Sequence, residues 1–176
     1  MTPVLKSLIS IVFLITALGS IAQTITLEKG SHNFGIGLNG GIVIGDFEDS
    51  YSGNIGVDLF YLYGFSKRFY AGASTGFANY FFDESAMLSG IQVETDDLQF
   101  MPIAVSFRVS PFKNFFGGTD IGYAIGINDS NDGGFYISPR ATYFIKKRIP
   151  IFLGYRNISL DSNSLSSIQF GIGYTF

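Results

Sequence analysis

Five charged residues interrupt segments of the sequence that are otherwise apolar or small. Two are acids, Asp58 and Asp120, and three are bases, Arg108, Arg140 and Arg156. Opposite charges held away from water pair with one another, whereas charges along a water-filled space offer a path for ions. Which of these two uses applies depends on the segments that carry the five residues.

Other candidates for chemistry are weak. The stretch GIGLNG at 35–40 has the G-x-G-x-x-G spacing, but dinucleotide binding needs a helix after it, and an extended pattern follows. His32 is the only histidine, and no nucleophile, base and acid gather at one place. The acids Asp46, Glu48 and Asp49 lie outside any twelve-residue calcium loop. We therefore expect no enzyme: no catalytic residue, no cofactor and no metal site. No basic patch with interleaved aromatics suggests nucleic acid.

The composition indicates a chain with an apolar surface. Only 14% of the 176 residues are charged, 16% are aromatic, and the mean hydropathy is +0.30. An ordinary soluble domain has roughly 25% charged residues. After residue 20, however, no run approaches the ~18 apolar residues of a membrane helix. The apolar residues must therefore be dispersed. Cysteine is absent, which excludes a disulfide framework.

The first 22 residues have the pattern of a secretory signal peptide. Lys6 precedes an apolar run at 8–18, and small residues lead up to a predicted cleavage between Ala22 and Gln23. The alternative is a signal anchor that stays in place, but the run is short for a membrane span. We expect cleavage and export by the general secretion route.

Eight segments of roughly 11 to 14 residues follow, separated by turn residues. Large apolar residues alternate with small or polar ones, as in a β-strand with two different faces. The last segment, SIQFGIGYTF at 167–176, keeps this alternation to its final residue. In the second segment the two faces are Ile55, Val57, Leu59, Tyr61, Tyr63 and Phe65 against Asn54, Gly56, Asp58, Phe60, Leu62 and Gly64.

The connectors between the segments sort by charge. The even connectors are short and basic, and they contain Lys67, Arg68, Lys113, Lys146, Lys147 and Arg148. The odd connectors are acidic or polar, and the third is long; they or their edges hold Asp46, Glu48, Asp49, Asp83, Glu84, Glu94, Asp96, Asp97, Asp129, Asp132 and Asp161. Short turns at one end and longer loops at the other are typical of outer-membrane barrels, whose short turns are periplasmic.

These patterns predict an all-β fold, an eight-stranded antiparallel up-and-down transmembrane β-barrel over residues 32–176, after a short periplasmic segment at 23–31. A closed barrel satisfies every backbone group in hydrocarbon, so the last strand must pair with the first. The large faces would meet lipid and the small faces would fill the interior. A soluble lipocalin-like barrel that binds an apolar ligand is the distant alternative, with the large face inside.

At this point the chain resembles the small eight-stranded outer-membrane barrels of the OmpA/OmpX type, particularly the outer membrane protein beta-barrel domain proteins of the Bacteroidetes. The resemblance covers about residues 30–176 and rests on the signal peptide, the eight alternating strands and Phe176. It implies an integral, porin-like protein of a Gram-negative outer membrane. It also implies that Tyr174 and Phe176 form the signal that the barrel-assembly machinery reads in the terminal strand.

The alternation places all five strand charges on the inward face. Counted from the short turns, Asp120 and Arg140 are at similar heights, and so are Asp58 and Arg156. Eight strands leave an interior only wide enough for side chains, so we expect a plug of paired charges rather than a conducting path. The function expected is therefore a non-enzymatic outer-membrane barrel with a structural or surface-interaction role. A small channel or ligand-passing barrel is the alternative.

The long third connector, 83–97, is the candidate for an extracellular interaction. Its centre, AMLSGIQV, is apolar between acidic flanks, and the residues available for contact are Met87, Leu88, Ile91 and Val93. The partners expected are outer-membrane lipids, the assembly machinery and one extracellular partner at this loop. We expect a monomer.

Overall fold

The computed structural model describes residues 28–83, 97–128, 131–160 and 163–176. The predicted signal peptide, 1–22, and the loop residues Met87, Leu88, Ile91 and Val93 lie outside the described residues. Within them the chain forms eight strands: β1 (His32–Ile44), β2 (Tyr51–Gly64), β3 (Phe69–Phe82), β4 (Leu98–Phe112), β5 (Phe115–Gly126), β6 (Gly134–Lys146), β7 (Ile149–Ser159) and β8 (Ser164–Thr175). No helix among these residues is long and apolar enough to cross a membrane.

The strands form one closed antiparallel barrel in chain order, and β8 pairs with β1. This closing ladder runs from Gly35 opposite Thr175 to Ile44 opposite Ser166. The backbone N–H of Phe176 adds a hydrogen bond of 2.9 Å to the carbonyl of Phe34. The predicted fold class is confirmed, because the terminal strand has its partner in the first strand.

The outer surface carries the large apolar side chains. Leu38, Leu153 and Phe170 are each about 60% exposed (59%, 59% and 61%), and most outward positions on the other strands also hold Ile, Leu, Val, Phe or Tyr. This geometry contradicts the lipocalin-like alternative, in which the same side chains would line a ligand cavity. In water such a surface would be far larger than the apolar patches that soluble monomers expose.

The predicted strands agree with the observed ones within a few residues. The largest differences are extensions of two residues: β4 continues to Phe112 at the short-turn end, and β2 and β8 begin early. β2 begins at Tyr51, two residues before the predicted segment. A bulge between Tyr51 and Gly53 lets these early residues pair with β3. β8 begins at Ser164, where the backbone N–H binds the Asp46 carboxylate of the neighbouring loop. The extensions of β2 and β8 lie at the end that the acidic connectors occupy.

Inward-facing glycines let neighbouring strands approach closely. A Cβ added at Gly122 of β5 would overlap the carbonyl oxygen of Ile103 and lie 2.6 Å from Cα of Ala104, both in β4. These neighbours are backbone atoms of a paired strand, so they cannot move aside without disturbing the ladder. A Cβ at Gly117 of the same strand would meet nothing within 4 Å.

We expect Gly122→Ala to destabilise the barrel by about 1–3 kcal/mol, the usual cost of overpacking. Gly117→Ala is the matched control and should leave the stability unchanged. The measurement is the urea midpoint of unfolding of the refolded protein in detergent micelles, read from the fraction that migrates as the folded form on an unboiled gel. Equal midpoints for the two variants would contradict the close approach of β4 and β5.

Candidate functional site

The barrel interior, which we call the lumen, brings the five charged residues together at mid-height. They come from five strands: Asp58 from β2, Arg108 from β4, Asp120 from β5, Arg140 from β6 and Arg156 from β7. All but Arg140 are nearly fully buried, and the Arg140 side chain is only 9% exposed. The lumen therefore holds five ionic side chains that have almost no contact with solvent.

Ion pairs join the five residues into one chain, which we call the charge network. Asp58 accepts from Arg156 Nη2 at 3.1 Å and from Arg140 Nη1 at 3.0 Å. Asp120 accepts from Arg108 Nη2 at 2.7 Å. Arg140 Nη2 lies 2.8 Å from Oδ2 of Asp120, an ion pair outside hydrogen-bond geometry. Arg140 thus bridges the two carboxylates.

Small residues on the neighbouring strands make room for the charge network. Gly118 lies opposite both Arg108 and Arg140 in the register, and Gly154 lies on the other side of Arg140. Asp120 lies between two serines, and the hydroxyl of Ser106 donates to its Oδ1 at 2.6 Å. The small inward residues in the sequence therefore correspond to space that long arginine side chains fill.

Neutral polar groups and aromatic rings complete this layer. Arg108 Nη1 donates to the carbonyls of Phe107 and Thr119 at 2.9 and 3.0 Å. The Arg140 guanidinium lies 4.9 Å from the ring centroid of Phe152, within cation–π distance. These contacts replace part of the water that Arg108 and Arg140 lose inside the barrel.

Above the charge network, towards the end with the acidic connectors, an apolar cluster fills the lumen. We call it the apolar plug: Val43, Tyr51, Ala78, Tyr80, Leu98, Phe100, Ala104, Ala124, Tyr136, Ile158 and Leu165. Tyr80, Phe100 and Leu165 are completely buried. Small residues and paired charges were predicted for the interior, and this plug was not. Its signal was present, since Tyr80, Phe100 and Tyr136 have the inward parity of their strands.

Below the charge network, the lumen contains a cavity of about 60 Å³. Its wall includes Asp58, Arg108 and Arg140 from the network. On one side lies a ring cluster in which Phe116 contacts Tyr70 and Phe144 at centroid distances of 5.6 and 5.3 Å. On the opposite side, β1, β7 and β8 contribute Phe152 and five smaller or polar residues: Asn33, Gly37, Pro150, Gly173 and Thr175.

The outer surface shows where the predicted assembly signal lies. The ring of Tyr174 points outward, 5.3 Å from that of Phe176, and its hydroxyl accepts from Arg148 Nη1 at 3.0 Å. His32 also lies at this end, where its Nδ1 is 2.8 Å from the Tyr61 hydroxyl. These residues form part of an aromatic belt beside the short turns, and His32 has a tyrosine rather than a catalytic partner.

A polar cluster on the outer face of β3 and β4 was also missed from the sequence. Asn79 donates to the Asp97 carboxylate at 2.8 Å, and Gln99 donates to Asn79 at 3.1 Å. Asn128 and Asn131 from the loop after β5 bind the backbone of Asp97 and Gln99. These polar groups form hydrogen bonds with one another and lie towards the loop end. The band of exposed apolar side chains therefore ends below them on this side of the barrel.

The described residues contain no group of three or more His, Asp or Glu side chains that could hold a metal ion. The ionic groups of the lumen are paired with one another and lie below the apolar plug.

Comparison with known proteins identifies the fold. No protein-family model matches the sequence, and neither does any curated protein. Among solved structures, the chain is similar to Ail, the attachment invasion locus protein of Yersinia pestis, with 17% identity over 84% of this chain and 99% of that one, at a TM-score of 0.57.

Two further structures support the same conclusion. The N-terminal β-barrel domain of OprF from Pseudomonas aeruginosa matches at 11% identity, covering 84% of this chain and all of that one (100%), with a TM-score of 0.57. A de novo designed transmembrane β-barrel matches at 13% identity over 85% of this chain and 98% of that one, with a TM-score of 0.54. One of the matching proteins was designed, so the similarity is one of architecture, that of small transmembrane barrels.

Removing one carboxylate tests how much the charge network contributes to the free energy of unfolding. We expect Asp58→Asn to lower the free energy of unfolding by about 3–5 kcal/mol, because Arg140 and Arg156 would each lose an ionic partner inside the barrel. The urea midpoint in detergent micelles gives the measurement. Asp49→Asn, at an exposed acid of the first loop, is the control and should change the midpoint little. A loss for Asp58→Asn no larger than the control's would show that the pairs contribute nothing net.

Proposed function

We propose that this protein is a non-enzymatic integral barrel of a Gram-negative outer membrane, with a closed lumen and a structural or surface-interaction role. The observation that carries the proposal is the filling of the lumen. An apolar plug occupies one half, and a network of five ionic side chains lies beneath it. A barrel filled in this way offers its outer surface and its loops for function.

The apolar outer surface and the different charges at the two ends of the barrel support the proposed outer-membrane location. Exposed Ile, Leu, Val and Phe side chains surround the barrel, as hydrocarbon requires. The short turns after β2, β4 and β6 carry lysine and arginine, and the connector after β1 carries the exposed acids Asp46, Glu48 and Asp49. We propose that the short turns are periplasmic, that residues 1–22 direct export, and that Tyr174 and Phe176 present the terminal strand to the barrel-assembly machinery.

The loop end is the proposed surface for an extracellular partner. Glu48, Asp49 and Asp132 are exposed there, and the 83–97 connector adds the apolar residues named from the sequence. One structure of Ail contains the heparin analogue sucrose octasulfate, and that chain matches this one at 15% identity with a TM-score of 0.51. An acidic loop end repels a sulfated sugar, so we propose a partner with a basic or apolar contact surface here.

The alternative function is a small channel or ligand-passing barrel. The cavity below the charge network favours it, because the cavity shows that the lumen is not filled along its whole length. The apolar plug opposes it, because Tyr80, Phe100 and Leu165 are completely buried in the other half. A steady current would therefore require the plug to rearrange.

Membrane fractionation tests the location. We expect the protein in the outer-membrane fraction, with an unboiled band whose mobility changes on heating, because a closed barrel resists SDS until heat breaks its continuous ladder. Recovery in the soluble periplasmic fraction without a heat-dependent shift would refute an integral barrel.

Single-channel recording in planar bilayers tests the closed lumen. We expect no stable conductance steps from the unmodified protein. The chain has no cysteine, so a thiol probe can report the lumen selectively. Thr142→Cys places a thiol in the wall of the cavity, and Ala141→Cys places one on the outer face of the same strand. Stable steps that a methanethiosulfonate reagent blocks in Thr142→Cys but not in Ala141→Cys would refute the closed lumen and establish a channel.

A further inference from the structure

The charge network does not balance. Among the described residues, the inward faces of the strands carry three arginines and two aspartates, so one positive charge has no carboxylate of its own. Arg108 and Arg156 each bind one aspartate, and Arg140 lies between the two carboxylates that the other arginines already use. The network as a whole therefore carries one positive charge in excess, and Arg140 is the arginine whose removal would leave two separate one-to-one pairs.

Two residues that line the cavity beneath the network each have one polar atom without a partner. Arg140 Nε and Thr175 Oγ1 are buried, and neither has a hydrogen-bond partner among the described residues. Arg108 belongs to the same wall. The residues that line this cavity therefore include two arginines, one carboxylate (Asp58) and the Thr175 hydroxyl, so positive charge exceeds negative charge there.

An unbalanced guanidinium is costly in this place. The effective penalty for removing an ion from water is several kcal/mol even after relaxation, and a low-dielectric surrounding reduces screening. Here the hydrocarbon around the barrel and the apolar plug above it keep bulk water away from the network. A negative charge in the cavity would offset this penalty, and a neutral water would do so only in part.

We propose that the cavity binds one small monovalent anion of halide size, held by Arg140 and Arg108 with Thr175 as a hydroxyl donor. The cavity of about 60 Å³ exceeds the roughly 15 Å³ that one water-sized probe needs, so a monatomic anion and some of its water fit. The cavity lies on the short-turn side of the charge network, so the anion would enter from that end.

The first test is the halide dependence of stability. The purified barrel is unfolded with urea in an uncharged detergent, and sodium chloride or bromide replaces sodium gluconate at constant ionic strength. We expect the urea midpoint to rise with halide concentration and then to level off at saturation, because a ligand that binds only the folded state stabilises it by mass action. Gluconate is too large for the cavity and serves as the reference anion. No difference between halide and gluconate would overturn the proposal.

Charge-balancing variants separate this site from a general salt effect. Arg140→Gln leaves two balanced pairs, Arg156 with Asp58 and Arg108 with Asp120, so the halide dependence should disappear. Lys147→Gln removes an equal charge from an exposed turn and should keep the dependence. A halide effect that persists in Arg140→Gln would place the anion elsewhere and overturn the assignment.

A gain-of-function variant keeps the test decisive if Arg140→Gln fails to fold. Thr142 lies two residues from Arg140 on the same face of β6 and lines the cavity. Thr142→Asp supplies a third carboxylate from the protein, so this variant should be more stable than the unmodified barrel in gluconate and insensitive to halide. Thr142→Asn, without the charge, should remain sensitive.

In bromide-soaked crystals, the anomalous signal should lie in contact with Arg140, and a signal only on the protein surface would contradict the site.

Discussion

The need to pair every backbone group governs this structure. A sheet surrounded by hydrocarbon has no water to satisfy a free edge, so the last strand must meet the first. The ladder between β8 and β1 meets that need, and the N–H of Phe176 extends it to the final residue. Once the sheet is closed with eight strands, the width of the lumen is set, and the inward side chains must fill that width.

The lumen meets this demand in layers with different physical character. The apolar plug fills its half mainly with rings and aliphatic side chains, as a protein core does, and the Tyr80 hydroxyl lies 3.3 Å from Oγ of Ser167. The charge network fills the middle with long side chains opposite glycine and serine, and ion pairs join its members. The third layer, below the charge network, is incompletely filled. A cavity remains there, and Thr175 and Arg140, which line it, each have one polar atom without a partner.

The two faces of each strand therefore have separate tasks. The outer face gains stability by contact with lipid, so its residues need only be apolar and large. Near the loops, polar residues of this face bind one another, as Asn79, Asp97 and Gln99 do. The inner face must match particular neighbours in shape and charge. The glycines between β4 and β5 show the same requirement for the backbone, since Gly122 leaves no space for a Cβ.

The sequence by itself determined the number of strands, their faces and the end at which each connector lies. These features follow from a period of two and from turn residues, which are local and visible along the chain. It also indicated that Asp58, Asp120 and the three arginines face inward, because parity is local as well. Only the tertiary structure decided that Arg140 bridges both aspartates, that Tyr80 and Phe100 belong to a plug, and that a cavity remains below. The tilt and stagger of the strands fix which side chains meet across the lumen. Neither quantity can be read from the sequence of a single strand.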